Sequence, residues 1–183
     1  MVEVFPLVGL ILSAVALVLD IALSFSPMYW YYRKQEVGSV TTETFLGLWR
    51  YCSKRDTGST TTETCQDHND DSYFADRMFV GGAQVFQCLA FLLLVATIVF
   101  LILKMFVLKD KSFLTPLACA HAFWAALCLI ASAGTFGQGI KVFNSNNYDF
   151  RDDLHFSLAF AVICGIVALV AGIILLVDMI KNK

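Results

Sequence analysis

Four long apolar runs, separated by polar connections of very unequal length, set the pattern of this chain. Residues 4–25, 78–103, 113–140 and 154–180 carry few charges. Wound at about 1.5 Å per residue, each is long enough to cross roughly 30 Å of hydrocarbon as a helix. An even number of spans puts both chain ends on one side of a membrane. The long connection 26–77 and the short one 141–153 then lie together on the other side. The expectation is a single tetraspan membrane domain over residues 1–183.

Within the runs, small or weakly polar residues recur at alternating steps of three and four. They are Gly9, Ser13, Ala16 and Asp20 in the first run, then Ala83, Gln87 and Ala90 in the second, resuming at Thr97. The third run has Ala118, Ala122 and Ala125, resuming at Ser132, and the fourth has Ala161, Gly165, Ala168 and Gly172. Helices in lipid associate by close backbone approach and interhelical hydrogen bonds, so such stripes mark the seams between them. Their heptad-like spacing predicts an all-α, left-handed four-helix bundle. Gly81, Gly82, Gly134, Gly137 and Gly139 fall near helix ends, where close packing or a cap accounts for them.

Asp20 is the one carboxylate well inside the first run. Eight residues before Met28, it lies roughly 12 Å below the membrane surface, where an isolated carboxyl costs several kcal/mol. Its place on the seam turns it toward protein. Gln84 and Gln87 reach a similar depth in the second run, so a hydrogen bond from one of them to Asp20 is expected. Intramembrane carboxyls often belong to proton or cation relays, but a relay needs a chain of titratable groups. His121 lies toward the opposite side and His155 at the outer end of the fourth run. The structural reading is therefore preferred.

Composition agrees with a bilayer protein: 58% of the 183 residues are hydrophobic, against about 45–50% in ordinary soluble domains. A net charge of −2 without long single-sign runs gives no reason to expect nucleic acid. The first run lacks a basic leader and a small-x-small cleavage site, so it is expected to remain as a helix. Lys104, Lys109 and Lys111 flank the tight turn between the second and third runs, and Lys181 and Lys183 close the chain. Those cations argue for a cytoplasmic turn and cytoplasmic termini. Arg33, Lys34 and Arg77 vote the other way, but long loops cross a membrane largely regardless of charge.

Cys88, Cys119, Cys128 and Cys164 fall inside the runs, which leaves Cys52 and Cys65 in the long connection. A lone pair in an extracytoplasmic loop is oxidised. "LWRYC" and "TTTETC" are rich in aromatic and β-branched residues and "KRDTGS" between them in turn formers, so the stretch reads as a hairpin tied by a Cys52–Cys65 disulfide. Closing a loop of that size contributes on the order of 3 kcal/mol in the chain-entropy model. Two free, buried thiols or a metal pair are the weaker alternatives; for a metal, no CxxC occurs and His68 is the only histidine nearby. Tyr29, Trp30, Tyr31 and Tyr32, just past the first run, read as an interfacial aromatic belt. Trp49 either joins that belt or packs under the hairpin.

Taken in order, Trp30, then Gly47, Leu48 and Trp49 as "GLW", Cys52, Cys65 and Arg77 resemble the W-GLW-C-C-R signature of the claudin superfamily. "GLWRYC" is most similar to its lens-fibre and epithelial membrane branch. The resemblance implies a claudin-like four-helix bundle carrying a small extracellular β-sheet built from both loops, with the disulfide inside it. It also implies that Gly47, Leu48 and Trp49 sit where the sheet meets the helix ends, and that Arg77 binds loop backbone or a carboxylate there. These are structural staples. The cysteine spacing is longer than in most claudins, the interval from Cys65 to Arg77 is shorter, and "KNK" after Ile180 lacks the tyrosine–valine ending that binds junctional scaffolds. No N-x-S/T sequon is present, so N-glycosylation is not expected.

No nucleophile beside a base, metal-ligand set or phosphate-cradling loop occurs, so neither an enzyme nor a cofactor is expected. Closed seams leave too little polar lining for a pore through one copy. What remains is surface for partners: a homo-oligomer in the lipid bilayer, or another membrane protein. The leading expectation is cell–cell adhesion, junction formation or membrane organisation at the plasma membrane. Asp67, Asp70, Asp71 and Asp76 would favour cations if such assemblies lined a gap between cells, but a solvated loop is the preferred reading of that cluster. The alternative is an auxiliary, gamma-type subunit of an ion channel or receptor.

Overall fold

The structure is a computed structural model. It describes residues 4–24, 30–67, 77–108, 111, 113–143 and 156–181, the side chains of 23, 24, 77–79 and 139–143 excepted. Four helices long and apolar enough to cross a membrane form its body. α1 spans Val4–Leu19 and continues as a π-helical turn over Asp20–Ser24. α2 spans Arg77–Ile102, with a second π-helical turn over Leu103–Val107. α3 spans Leu114–Phe143 and α4 Phe156–Lys181. Two of the sequence-derived ends fall short: α2 winds on past 103 through its π-helical turn, and α3 takes up 141–143. In both places the apolar run thins before the helical hydrogen-bond ladder stops.

The helices pack in cyclic order, each chiefly against its two flanking neighbours. The seams are the stripes of small residues. Ser13, Ala16 and Asp20, then Ala83, Gln87, Ala90 and Thr97, are all fully buried. So are Ala118, Ala122, Ala125 and Ser132 on α3, and Ala161 and Ala168 on α4. The glycines on these stripes show why small residues are needed. A Cβ on Gly9 would stand 2.8 Å from Leu175 Cδ2, one on Gly165 3.1 Å from Ile130, and one on Gly172 3.3 Å from the Phe123 ring. Gly134 and Gly137 have nothing within 4 Å of such a Cβ, so close packing does not account for them.

At one end of the bundle sits an antiparallel sheet in the order β1-β2-β3-β4, formed by Tyr31–Val37, Val40–Leu46, Arg50–Asp56 and Thr61–Asp67. The second hairpin lies where "LWRYC" and "TTTETC" placed it, with a shorter turn. Lys54, Arg55 and Asp56 belong to β3, and the chain reverses over Thr57–Thr60, where Gly58 has φ +80° and its N–H donates to Asp56 Oδ1 at 2.9 Å. The first hairpin is a correction to the interfacial-belt reading. Tyr31 and Tyr32 are strand residues, opposite Leu46 and Phe45. Gly38, at φ +63°, opens the turn that joins β1 to β2, as tight hairpins require of their first central residue. All four described strands come from the first loop. Residues 144–155 of the second loop, and with them any strand they add, lie outside the described residues.

Candidate functional site

The junction between sheet and bundle gathers most of the residues that the sequence singled out. Alternation along the strands turns Tyr31, Leu46 and Tyr51 onto the face that packs down on the helices. Between sheet and helices lies Trp30, with no exposed surface, its ring 4.8 Å from that of Phe136 on α3 in an edge-on arrangement. An interfacial anchor was the preferred reading of Trp30. The buried position overturns it, because a ring wedged between Phe136 and the sheet is removed from lipid and water alike. Leu48 is also fully buried in this cluster, and Trp49 packs against it half-buried. Gly47 makes the bend that aims them, its N–H bonded to Arg50 O at 2.8 Å. Phe136 carried no signal in the sequence beyond its place in an apolar run.

Two glutamines one turn apart on α2 divide the polar work. Gln84 Nε2 donates to the backbone oxygen of Leu48 at 2.8 Å, which ties the GLW bend to the helix. Gln87 Nε2 donates to Asp20 Oδ1, with both side chains fully buried. Asp20 opens the π-helical turn of α1. Asp20 Oδ2 and Gln87 Oε1 bond nothing among the described residues. On the other flank of α2, Ser132 Oγ of α3 donates to the Ala83 oxygen at 2.9 Å. The carboxyl therefore lies in a cross-braced, packed seam. Arg77 begins α2, and its side chain lies outside the described residues.

Cys52 and Cys65 stand opposite one another in the β3–β4 register and form a disulfide. Cys52 is buried, while every residue of β4 is exposed. The face turned away from the bundle is charged and balanced. Lys34, Glu43, Lys54 and Glu63 lie opposite one another in turn across all four strands, so the sign alternates along the row. Arg50 Nε meets Asp67 Oδ1 at 2.7 Å, Lys34 Nζ meets Glu36 Oε1 at 2.7 Å, and the Tyr32 hydroxyl donates to Glu43 at 3.3 Å. The hydrogen bond from Lys34, and then its charge, hold the Glu36 carboxyl below its ordinary range. Asp67 thus leaves the acidic cluster read from the sequence, because Arg50 neutralises it. Asp70, Asp71 and Asp76 lie outside the described residues.

A bundle of four membrane-crossing helices, closed along small-residue seams and roofed by a disulfide-tied sheet, defines a tetraspan membrane protein. The chain belongs to the PMP-22/EMP/MP20/Claudin family, whose model matches residues 3–175. Among curated proteins no match is found.

Proposed function

We propose that this protein is a non-enzymatic adhesion or membrane-organising component of the plasma membrane. The sheet stands outside the cell, both termini lie in the cytosol, and copies associate side by side. The carrying observation is the cap itself: four strands held by a covalent tie and seated on the helices through Trp30, Leu48 and the Gln84 bond, with β4 and a charge-balanced face turned to solvent. Such a surface is covalently tied, packed on the helices and water-exposed, which suits recognition of another surface. Among the described residues no three His, Cys, Asp or Glu side chains gather to hold a metal ion. The lysines near the 104–111 turn and at the chain end support the orientation, and so does the disulfide, since such bonds persist outside the cytosol. The motif "GLWRYC" supports placement near the lens-fibre and epithelial branch.

Expression in cells that lack junctions tests this reading. Aggregation of those cells, with the protein concentrated at contacts, is the expected result. Absence of contacts together with stoichiometric co-purification of an ion channel would overturn it in favour of an auxiliary subunit, which uses the same fold.

A further inference from the structure

Three of the four helices turn an ordinary face to lipid. The large exposed side chains of α1, α2 and α4 are almost all Val, Leu and Ile, as at Ile11, Leu92 and Ile166. The outward face of α3 differs. Leu117, Ala120, Trp124, Leu127, Ala131 and Gly134 follow one another at steps of three and four and point away from the bundle. Trp124 is 62% exposed. Ten residues from Leu114, it stands about 15 Å along the helix, near the middle of a hydrocarbon layer about 30 Å thick. Indole rings favour the membrane interfaces, where the N–H finds water. At mid-depth in lipid it finds none, and an unmet polar group there is costly.

One turn earlier stands His121. Its Nδ1 donates to the Leu117 oxygen at 2.7 Å and its ring centre lies 5.2 Å from that of Phe100 in an edge-on arrangement, which together fix the imidazole. Nε2, which in a neutral ring is an acceptor, has no bond among the described residues, and neither has the Trp124 N–H. The same helix side thus offers a donor and an acceptor about 4.5 Å apart along the axis, each unmet among the described residues. A two-fold axis normal to the membrane meets both at once, because in such an interface residue i touches j and j touches i. The small residues Ala120, Ala131 and Gly134 leave room for a second backbone on either side of the indole, and nothing occupies the space beside Gly134.

We propose that the outward face of α3 is where two copies of this chain pair in the membrane, each Trp124 N–H donating to the His121 ring of the other copy. The proposal deepens the side-by-side association proposed above by naming its surface. The test uses the full chain, fluorescently labelled and reconstituted into phosphatidylcholine vesicles, with pairing followed against dilution by single-molecule photobleaching. Wild type is expected to pair. Trp124→Phe, which keeps an aromatic ring and removes the donor, should weaken pairing by roughly fivefold to tenfold, two interhelical hydrogen bonds being lost. His121→Phe should do the same, and the double variant should be little weaker than either single one, because all three remove the same bonds. A disulfide should trap the pair from Ala131→Cys but not from Ile166→Cys on α4. Monomers at every dilution, unchanged pairing in Trp124→Phe, or trapping through Ile166→Cys instead would each overturn the α3 contact. Adhesion between cells is scored separately, so failed pairing with intact adhesion refutes this contact without touching the role of the cap.

Discussion

Asp20 and Gln87 show how one side chain is made acceptable in the membrane. Asp20 Oδ1 accepts a bond from Gln87, while Oδ2 and Gln87 Oε1 bond nothing among the described residues. Asp20→Asn keeps the acceptor and puts a neutral amide group in place of the unbonded Oδ2. It should leave thermal unfolding in detergent unchanged or raise its midpoint. Asp20→Leu strips Gln87 of its partner and should cost about 1–3 kcal/mol, the usual penalty of an unpaired buried polar group. A large loss in Asp20→Asn, at normal abundance, would revive a titrating role for the carboxyl. The glycines divide in the same way. Gly165→Leu drives a side chain into Ile130 and the α3 backbone and should destabilise by at least about 1–3 kcal/mol. Gly137→Ala meets open space and should be neutral or stabilising by up to about 1 kcal/mol through helix propensity.

Among the elements, the two hairpins are held differently. β1 and β2 reverse through Gly38 and are pressed onto the helices by Tyr31 and Leu46. β4 is exposed throughout and joins the sheet through β3, the disulfide and the Arg50–Asp67 pair. An exposed ion pair adds little, so the covalent tie carries the edge. Reduction, or Cys65→Ser, should raise hydrogen exchange across β4 well before it does so in β1 and β2. Loss of surface delivery is expected for Cys52→Ser and Cys65→Ser, and not for Cys128→Ser, whose thiol lies inside the bundle. Simultaneous exchange of all four strands on reduction would refute this order.

On the scale of the whole molecule, cap and bundle are coupled through a small patch in which Trp30, Leu48 and Phe136 are the largest fully buried side chains. Trp30→Ala should cost about 3–5 kcal/mol, the range for emptying a large aromatic from a packed site. The loss should register as faster exchange throughout the sheet while the helix centres remain protected. Uniform exposure of cap and helices would instead mean that the two halves fold as a single cooperative unit.

Periodicity and spacing already determined the four spans, the inward side of each helix and the cysteine pair. Helical periodicity in an apolar run and a lone pair of loop cysteines are one-dimensional signals that need no partner to be read. Gly38-Ser39 between two β-rich stretches was a legible hairpin signal as well, eclipsed by the density of aromatics around Trp30. Tertiary structure alone decided that Trp30 is buried, and that Gln87 takes the carboxyl while Gln84 takes a loop carbonyl. In each case the deciding quantity is which surface lies across from a residue, and distance along a chain does not encode that until the helices have packed.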